Sequence, residues 1–206
     1  ISDLPSLHPV ISYRGKGMSL LDCFRLPIYG EALQELRGRG SAGRAVASAM
    51  EQAVRDLRFN GPVSSGAERQ PSAPARPGRP DALMSWLRDR PSRVLTNHEC
   101  RAHMPEDLVR YLFVSAYGSQ VGRSPKLGDF PLALLPEHDN VDRDNPAKSI
   151  FKDRFRVQVA GDCATTVTSH IGKDGHAFIH PDVRQCRSLT VREAARLQTF
   201  PDSYVF

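Results

Sequence analysis

A chain of 206 residues with 40% hydrophobic and 25% charged residues can bury the core of one domain, or of one domain with a small appendage, which excludes a mini-protein held by staples. The formal net charge of +5 and the pI near 9.2 permit a polyanionic partner without demanding one, since arginine far outnumbers lysine and Ala, Pro and Gly are abundant. No apolar run nears the roughly 18 residues that cross a bilayer, so no membrane span is expected. The scattered Cys23, Cys100, Cys163 and Cys186, with no Cys-x-x-Cys pair, argue against a disulfide framework or zinc ribbon and for a reducing cytoplasm.

The chain opens on Ile1 with no initiator Met, basic stretch or apolar signal segment, which predicts a cut or processed end. Residues 1–29 mix turn-formers with short apolar stretches and read as an extended segment that needs something else to pack on. Over residues 31–59, Leu33 and Leu36, then Val46, Met50, Val54 and Leu57, fall three or four apart and predict a helical hairpin broken at residues 38–43. The glycines of that break match a dinucleotide fingerprint, but they follow a helical pattern and not a strand, so they read as a helix break. Residues 61–80 hold five prolines and three glycines and are expected to form a loop.

Asp81 is placed to cap a short helix with Leu83, Trp86 and Leu87 inward, and Pro105 to open another with Leu108, Leu112 and Phe113 on one face. Between them, His98, Cys100 and His103 offer three zinc ligands without a spaced fourth, and the segment reads as a capped surface turn with no metal. After residue 145 the period changes. Phe155, Val157 and Val159 alternate with Arg154, Arg156 and Gln158, which predicts a strand with a basic, hydrogen-bonding face. Residues 165–168 and 177–179, joined by a turn at 172–175, predict a small antiparallel sheet. His170, His176 and His180 flank that turn, as phosphate contacts or solvated loop residues. Thr190 and Glu193 form a capping box for a last helix that stops before Pro201.

Arg187, Leu189, Thr190, Arg192, Glu193, Ala195, Arg196, Leu197, Gln198, Phe200, Pro201 and Asp202 match the pattern R-x-L-T-x-R-E-x-A-R-L-Q-x-F-P-D, which resembles the ninth conserved motif of the DNA cytosine-5 methyltransferases. Upstream, Thr166-Val167 resembles the Thr-aliphatic pair that sits near the flipped nucleotide in that family. Asp153-Arg154-Phe155 resembles the start of its recognition strand, and residues 1–5 resemble the segment that leaves its catalytic domain. The middle of the chain, about residues 30–145, matches nothing comparable.

The resemblance implies an α+β fold: an extended segment (1–29), a helical and small antiparallel-sheet target-recognition region (30–186), and a motif helix (187–206) that would dock on an absent α/β methyltransferase domain. In the complete enzyme a cysteine thiolate adds to C6 of an extruded cytosine, and C5 takes a methyl group from S-adenosylmethionine. Here no cysteine follows a proline, and the Phe-x-Gly-x-Gly, Glu-Asn-Val, Gln-x-Arg-x-Arg and final Gly-Asn motifs are absent. The chain alone is therefore expected to be inactive, to hold no catalytic residue and to bind no S-adenosylmethionine. Its expected partners are double-stranded DNA and the catalytic domain of the same protein, in the setting of DNA methylation and restriction-modification. Arg154, Arg156 and Gln158 are expected in the major groove; Thr166, Ser169 and Lys173 are expected along the backbone near the target. Arg187, Thr190, Arg192, Glu193, Arg196 and Gln198 are expected to tie the recognition region to the catalytic domain. The alternative is a stand-alone DNA-binding module, or the recognition subunit of a split methyltransferase.

Overall fold

The computed structural model describes residues 1, 4–12, 17–59, 64–71, 82–89, 94–173 and 175–206. In chain order these form β1 (Val10–Ile11), α1 (Leu20–Cys23), α2 (Pro27–Gly38), α3 (Gly40–Phe59), β2 (Gly66–Pro71), α4 (Ala82–Leu87), β3 (Val94–Glu99), β4 (Ala102–His103) and α5 (Pro105–Val121). A run of short 3-10 turns follows, and α6 (Val191–Leu197) comes last.

The expected helical hairpin is present. Pro27 opens α2, and a turn through Arg39 and Gly40 (φ +76°) sends the chain back as α3. Gly43 is required there, because a Cβ would lie 2.2 Å from the Leu36 carbonyl oxygen. The apolar stripe read from the sequence, Leu33 and Leu36 with Val46, Met50, Val54 and Leu57, is buried against α5. Arg39 fastens the turn to the rest of the molecule through the carbonyls of Asp129 (2.6 Å) and Phe130 (2.7 Å).

The α5 helix is the centre of the core. Pro105 stands at its start and Gly122 (φ +75°) terminates it in the left-handed conformation that glycine tolerates. It is buried on nearly all sides, not only on the face carrying Leu108, Leu112 and Phe113: Val109, Tyr111, Val114 and Ala116 are inside as well. Tyr111, Phe113, Phe130 and Phe155 form a continuous set of tilted and edge-on ring contacts around it.

The sheet content differs from expectation. The antiparallel pair is β2 with β3 (Gly66 opposite Glu99, Arg69 opposite Thr96), while β1 pairs in parallel with β4. Thus residues 66–71, expected as loop, are a strand; the rest of the expected loop at 72–80, and the Asp81 cap, lie outside the described residues. The hairpin expected from residues 165–168 and 177–179 does not form. Ile179 instead bridges Val157 in parallel and Ser188 in antiparallel fashion. It does so because Arg156 and Gln158 exchange backbone bonds with His176 and Ile179, while His180 and Leu189 bond Arg187 and Phe178. Residues 169–172 and 175–177 are coiled into 3-10 turns, so no strand faces the threonines.

In α4 only Leu87 points inward. Leu83 and Trp86 are about half exposed, and the indole of Trp86 donates to the Thr199 carbonyl at 2.8 Å. No described helix is long and apolar enough to cross a membrane.

Candidate functional site: a basic cleft above a buried motif

The capping box of α6 is formed as the sequence predicts: Thr190 Oγ1 accepts from Glu193 N (3.1 Å) and Glu193 Oε2 accepts from Thr190 N (2.8 Å). The same carboxylate receives Arg187 through two bonds of 2.7 Å, with both side chains essentially without solvent exposure. Burial alone would push the Glu193 carboxyl up; the Arg187 guanidinium overrides it and holds the carboxyl down to about 2. Arg187 also donates to Gln185 Oε1 and to the Ser188 carbonyl, and Gln185 Oε1 takes the Leu7 amide. Arg187 and Glu193 thus find hydrogen-bond partners within this chain.

Two histidines that the sequence placed in a surface turn are posts in the same network. His98 is fully buried on β3. Its Nε2 must donate, because its partner is the Pro5 carbonyl (2.9 Å), and its Nδ1 then accepts from the Thr190 hydroxyl (3.0 Å). His103 on β4 faces the Ser188 amide through Nε2 (3.4 Å) and Tyr111 through Nδ1 (3.5 Å). Burial, aided by His176, Arg101 and Arg187, lowers it to about 3. Among the described residues no group of three His, Cys, Asp or Glu is arranged for a metal.

Arg192 ties α6 to β3 and to the residues after α6: it donates to Thr96 O (2.9 Å), Thr96 Oγ1 (2.6 Å), Pro201 O (3.2 Å) and Tyr204 O (2.8 Å). Arg196 is held by Asp202, with Nε to Oδ1 at 2.9 Å. Gln198 is exposed and reaches the Val167 carbonyl at 3.4 Å. Of the six motif residues assigned to docking, five are therefore buried and hold this chain together.

Immediately above lies a cleft of about 330 Å³ lined by Ser12, Arg101, Ala102, His103, Met104, Asp107, Tyr111, Arg154, Lys173, Gly175 and His176. Arg101, Arg154 and Lys173 face it, and the carboxylate that lines it among the described residues, Asp107, is paired with Arg110 at 2.8 Å. Arg101 donates to the Ile171 carbonyl at 2.7 Å, which pins the 3-10 turn (Ser169–Gly172) that leads to Lys173. The floor is aromatic, with His103 held neutral by burial and the Tyr111 hydroxyl 2.7 Å from His176 Nδ1.

The DNA-contact residues named from sequence divide accordingly. Arg154 and Lys173 share the cleft. Thr166 and Ser169 are exposed. Arg156 is engaged by Asp153. Gln158, expected beside the two arginines, is buried, and its amide is used internally: Oε1 accepts from Thr165 N (3.0 Å) and Thr165 Oγ1 (3.1 Å), and Nε2 donates to Ala177 O (3.3 Å). It closes the 158–165 loop. Alternation puts Gln158 on the arginine face of an ideal strand, but the isolated bridge at Val157 leaves no strand to enforce that face. Arg101 and Ser12 were not singled out from sequence, because nothing local links residues 12, 101, 154 and 173.

Comparison with known proteins bears on part of the chain. The C-5 cytosine-specific DNA methylase family matches residues 117–206. The type II methyltransferase M.Bpa9945I of Bacillus paralicheniformis is 44% identical over 111 residues, which is 54% of this chain and 23% of that protein. The type II methyltransferase M.AgeI of Thalassovita gelatinovora is 49% identical over 41 residues, 20% of this chain and 9% of that protein. A putative type II methyltransferase of Oceanobacillus iheyensis is 38% identical over 56 residues, 27% of this chain and 12% of that protein. The chain spans less than a quarter of the length of each of these relatives. No solved structure matches it. Over residues 117–206, the chain is thus similar to the C-5 cytosine-specific DNA methylase family.

Proposed function

We propose that this chain is the DNA-recognition part of a cytosine-5 methyltransferase, gripping duplex DNA while a separate catalytic region of the same protein carries the Pro-Cys nucleophile and the S-adenosylmethionine site. The observation that carries the reading is the convergence of Arg154 and Lys173 on one cleft, in a chain whose relatives are DNA methyltransferases. Three cations suit a polyanion and repel the sulfonium of S-adenosylmethionine, so the cleft does not fit the cofactor, and no step of methyl transfer is assigned to residues of this chain.

Extruding a cytosine for attack at C6 opens the duplex, and something must hold the flanking strands in register. Arg154 can bond guanine O6 and N7 in bidentate fashion, a contact that carries sequence information. Lys173, as a point charge at the end of a pinned turn, suits a phosphate, which positions without reading. The exposed hydroxyls of Thr166 and Ser169 are assigned to further backbone contacts near the target. Arg187, Thr190, Arg192, Glu193 and Arg196 act one step back, fixing β3 and α6 under the cleft.

The test is a map of methylated cytosines in DNA exposed to the full-length protein and to its Arg154→Ala variant. Loss of a bidentate contact is expected to cost about 1–3 kcal/mol and to relax one base position. An unaltered sequence preference would refute the assignment of Arg154. A reading frame without Pro-Cys or Phe-x-Gly-x-Gly would favour a recognition subunit or stand-alone DNA-binding module instead.

A further inference from the structure

We infer that Arg101, which lies outside the segment matched by the family, forms with Lys173 a phosphodiester-binding site, so that the DNA-contact surface is a composite of both halves of the chain. The inference rests on the reading of the cleft as a DNA interface. It adds that one wall of that interface is built by residues 12 and 101–111 and the other by Arg154, Lys173 and His176.

Three observations carry it. First, Arg101 faces the cleft while its Nη1 donates to the Ile171 carbonyl at 2.7 Å. One bond spends a single N–H of the five that a guanidinium offers; the charge itself is not cancelled by a carbonyl, and no ion pair to Arg101 is formed among the described residues. Second, that bond sets the position of Lys173, whose amide follows the turn by donating to His170 O at 3.0 Å. Gly175, just beyond, has no room for a side chain, since a Cβ would lie 2.9 Å from Ser188 Cβ. The turn is thereby held by Arg101 at Ile171, and Gly175 beyond it packs against Ser188 of the buried motif. Third, the buried hydroxyl of Ser12, on the same wall, has no hydrogen-bond partner among the described residues, an unspent donor of the kind a phosphate oxygen satisfies. With Asp107 paired with Arg110, no unpaired carboxylate lines the cleft among the described residues.

Arg101 is thus both a phosphate contact and a positioning residue for Lys173. The test measures affinity of the full-length protein for a duplex oligonucleotide carrying its methylation site, and for a scrambled duplex, across a salt series. Arg101→Ala is expected to weaken both duplexes about tenfold at low salt, the loss of about one charge-assisted hydrogen bond, and to reduce the slope of log K against log salt by about one. Lys173→Ala is expected to reduce it likewise, and neither variant is expected to change which cytosine is methylated. Arg101→Gln removes the charge while keeping a polar side chain of similar stem, so it must also reduce the slope even if the alanine variant folds poorly. An unchanged slope in Arg101→Gln, or a changed target sequence, overturns the inference while leaving the DNA reading intact. Salt-independent or absent duplex binding by the unaltered protein overturns the reading beneath it.

Discussion

Removing the Glu193 carboxylate is expected to be among the most damaging single changes available in this chain. Both members of the Arg187–Glu193 pair are almost wholly buried, at 0% and 1% side-chain exposure, so solvent screening does not soften the loss. Glu193→Ala strands a guanidinium whose two 2.7 Å bonds disappear, a situation that costs about 3–5 kcal/mol. It also removes the acceptor for the Thr190 amide, which adds about 1 kcal/mol for an opened helix start. A domain of this size is stable by about 5–15 kcal/mol, so the variant should lose about a third or more of that stability. Replacing the whole pair, Arg187→Met with Glu193→Leu, removes both charges together and should cost less than either single change, because the desolvation penalty of the ions vanishes with their attraction. Urea titration of the three variants, followed by circular dichroism, measures this. A Glu193→Ala cost below about 1 kcal/mol, or a double variant no more stable than the single ones, would refute the account of the motif as a self-contained buried network.

That network explains why a motif can be legible while the partners of its side chains within the chain are not. The order of residues from Arg187 to Asp202 is specific enough to identify a family from the sequence alone. Charged side chains, however, are almost never fully buried unless paired, so a cluster of arginines and a glutamate reads as a surface. The pairing that buries them links Arg187, which precedes the helix, to Glu193 inside it, and helical spacing does not reveal it. The α2–α3 pair and the start of α5 were legible because their apolar residues recur three or four apart and Pro105 marks a start, whereas Pro27, which opens α2, fell in the segment read as extended. In α4 the same periodicity named Trp86 without telling which neighbour its indole finds, and that neighbour is 113 residues away.

Strand pairing was the least legible layer. Residues 66–71 carry no apolar alternation; their partner, β3, owes its burial to His98 and Leu95, and the register is set by contacts that sequence separation conceals. Residues 165–168 look more strand-like, yet Gln158 captures Thr165 and the turns that follow consume the backbone. The cleft suffers from the same difficulty in stronger form. Arg154 and Lys173 were named from sequence, one by alternation and the other by resemblance, but Arg101 acquires its meaning only when β3 and β4 bring it beside a turn seventy residues later.

Two further predictions concern packing and pH. Gly118 faces Val157, and a Cβ there would lie 2.6 Å from Val157 Cγ1; Gly118→Ala should therefore lower the melting temperature despite alanine's helix preference of about 1 kcal/mol, and Val157→Ala in the same chain should restore it. Acid should act through histidines before it reaches the buried ion pair. Burial lowers His103 to about 3 and His180 to about 4, so the unfolded chain, with ordinary imidazoles near 6.5, takes up their protons first. The stability these groups allow is fully present above pH 6.5 and is lost as pH falls toward 4, at up to about 1.4 kcal/mol per pH unit for each. Glu193, held down to about 2 by Arg187 against its own burial, contributes stability that is present above about 4.5 and lost only as pH falls from there toward 2. Melting temperature should therefore decline between pH 6.5 and 5, and His103→Asn should make that decline shallower while leaving the fall below pH 4.5 in place. A melting temperature that stays level from pH 6.5 to 5 would show that these imidazoles are not buried in neutral form, and with it the floor assigned to the cleft would be wrong.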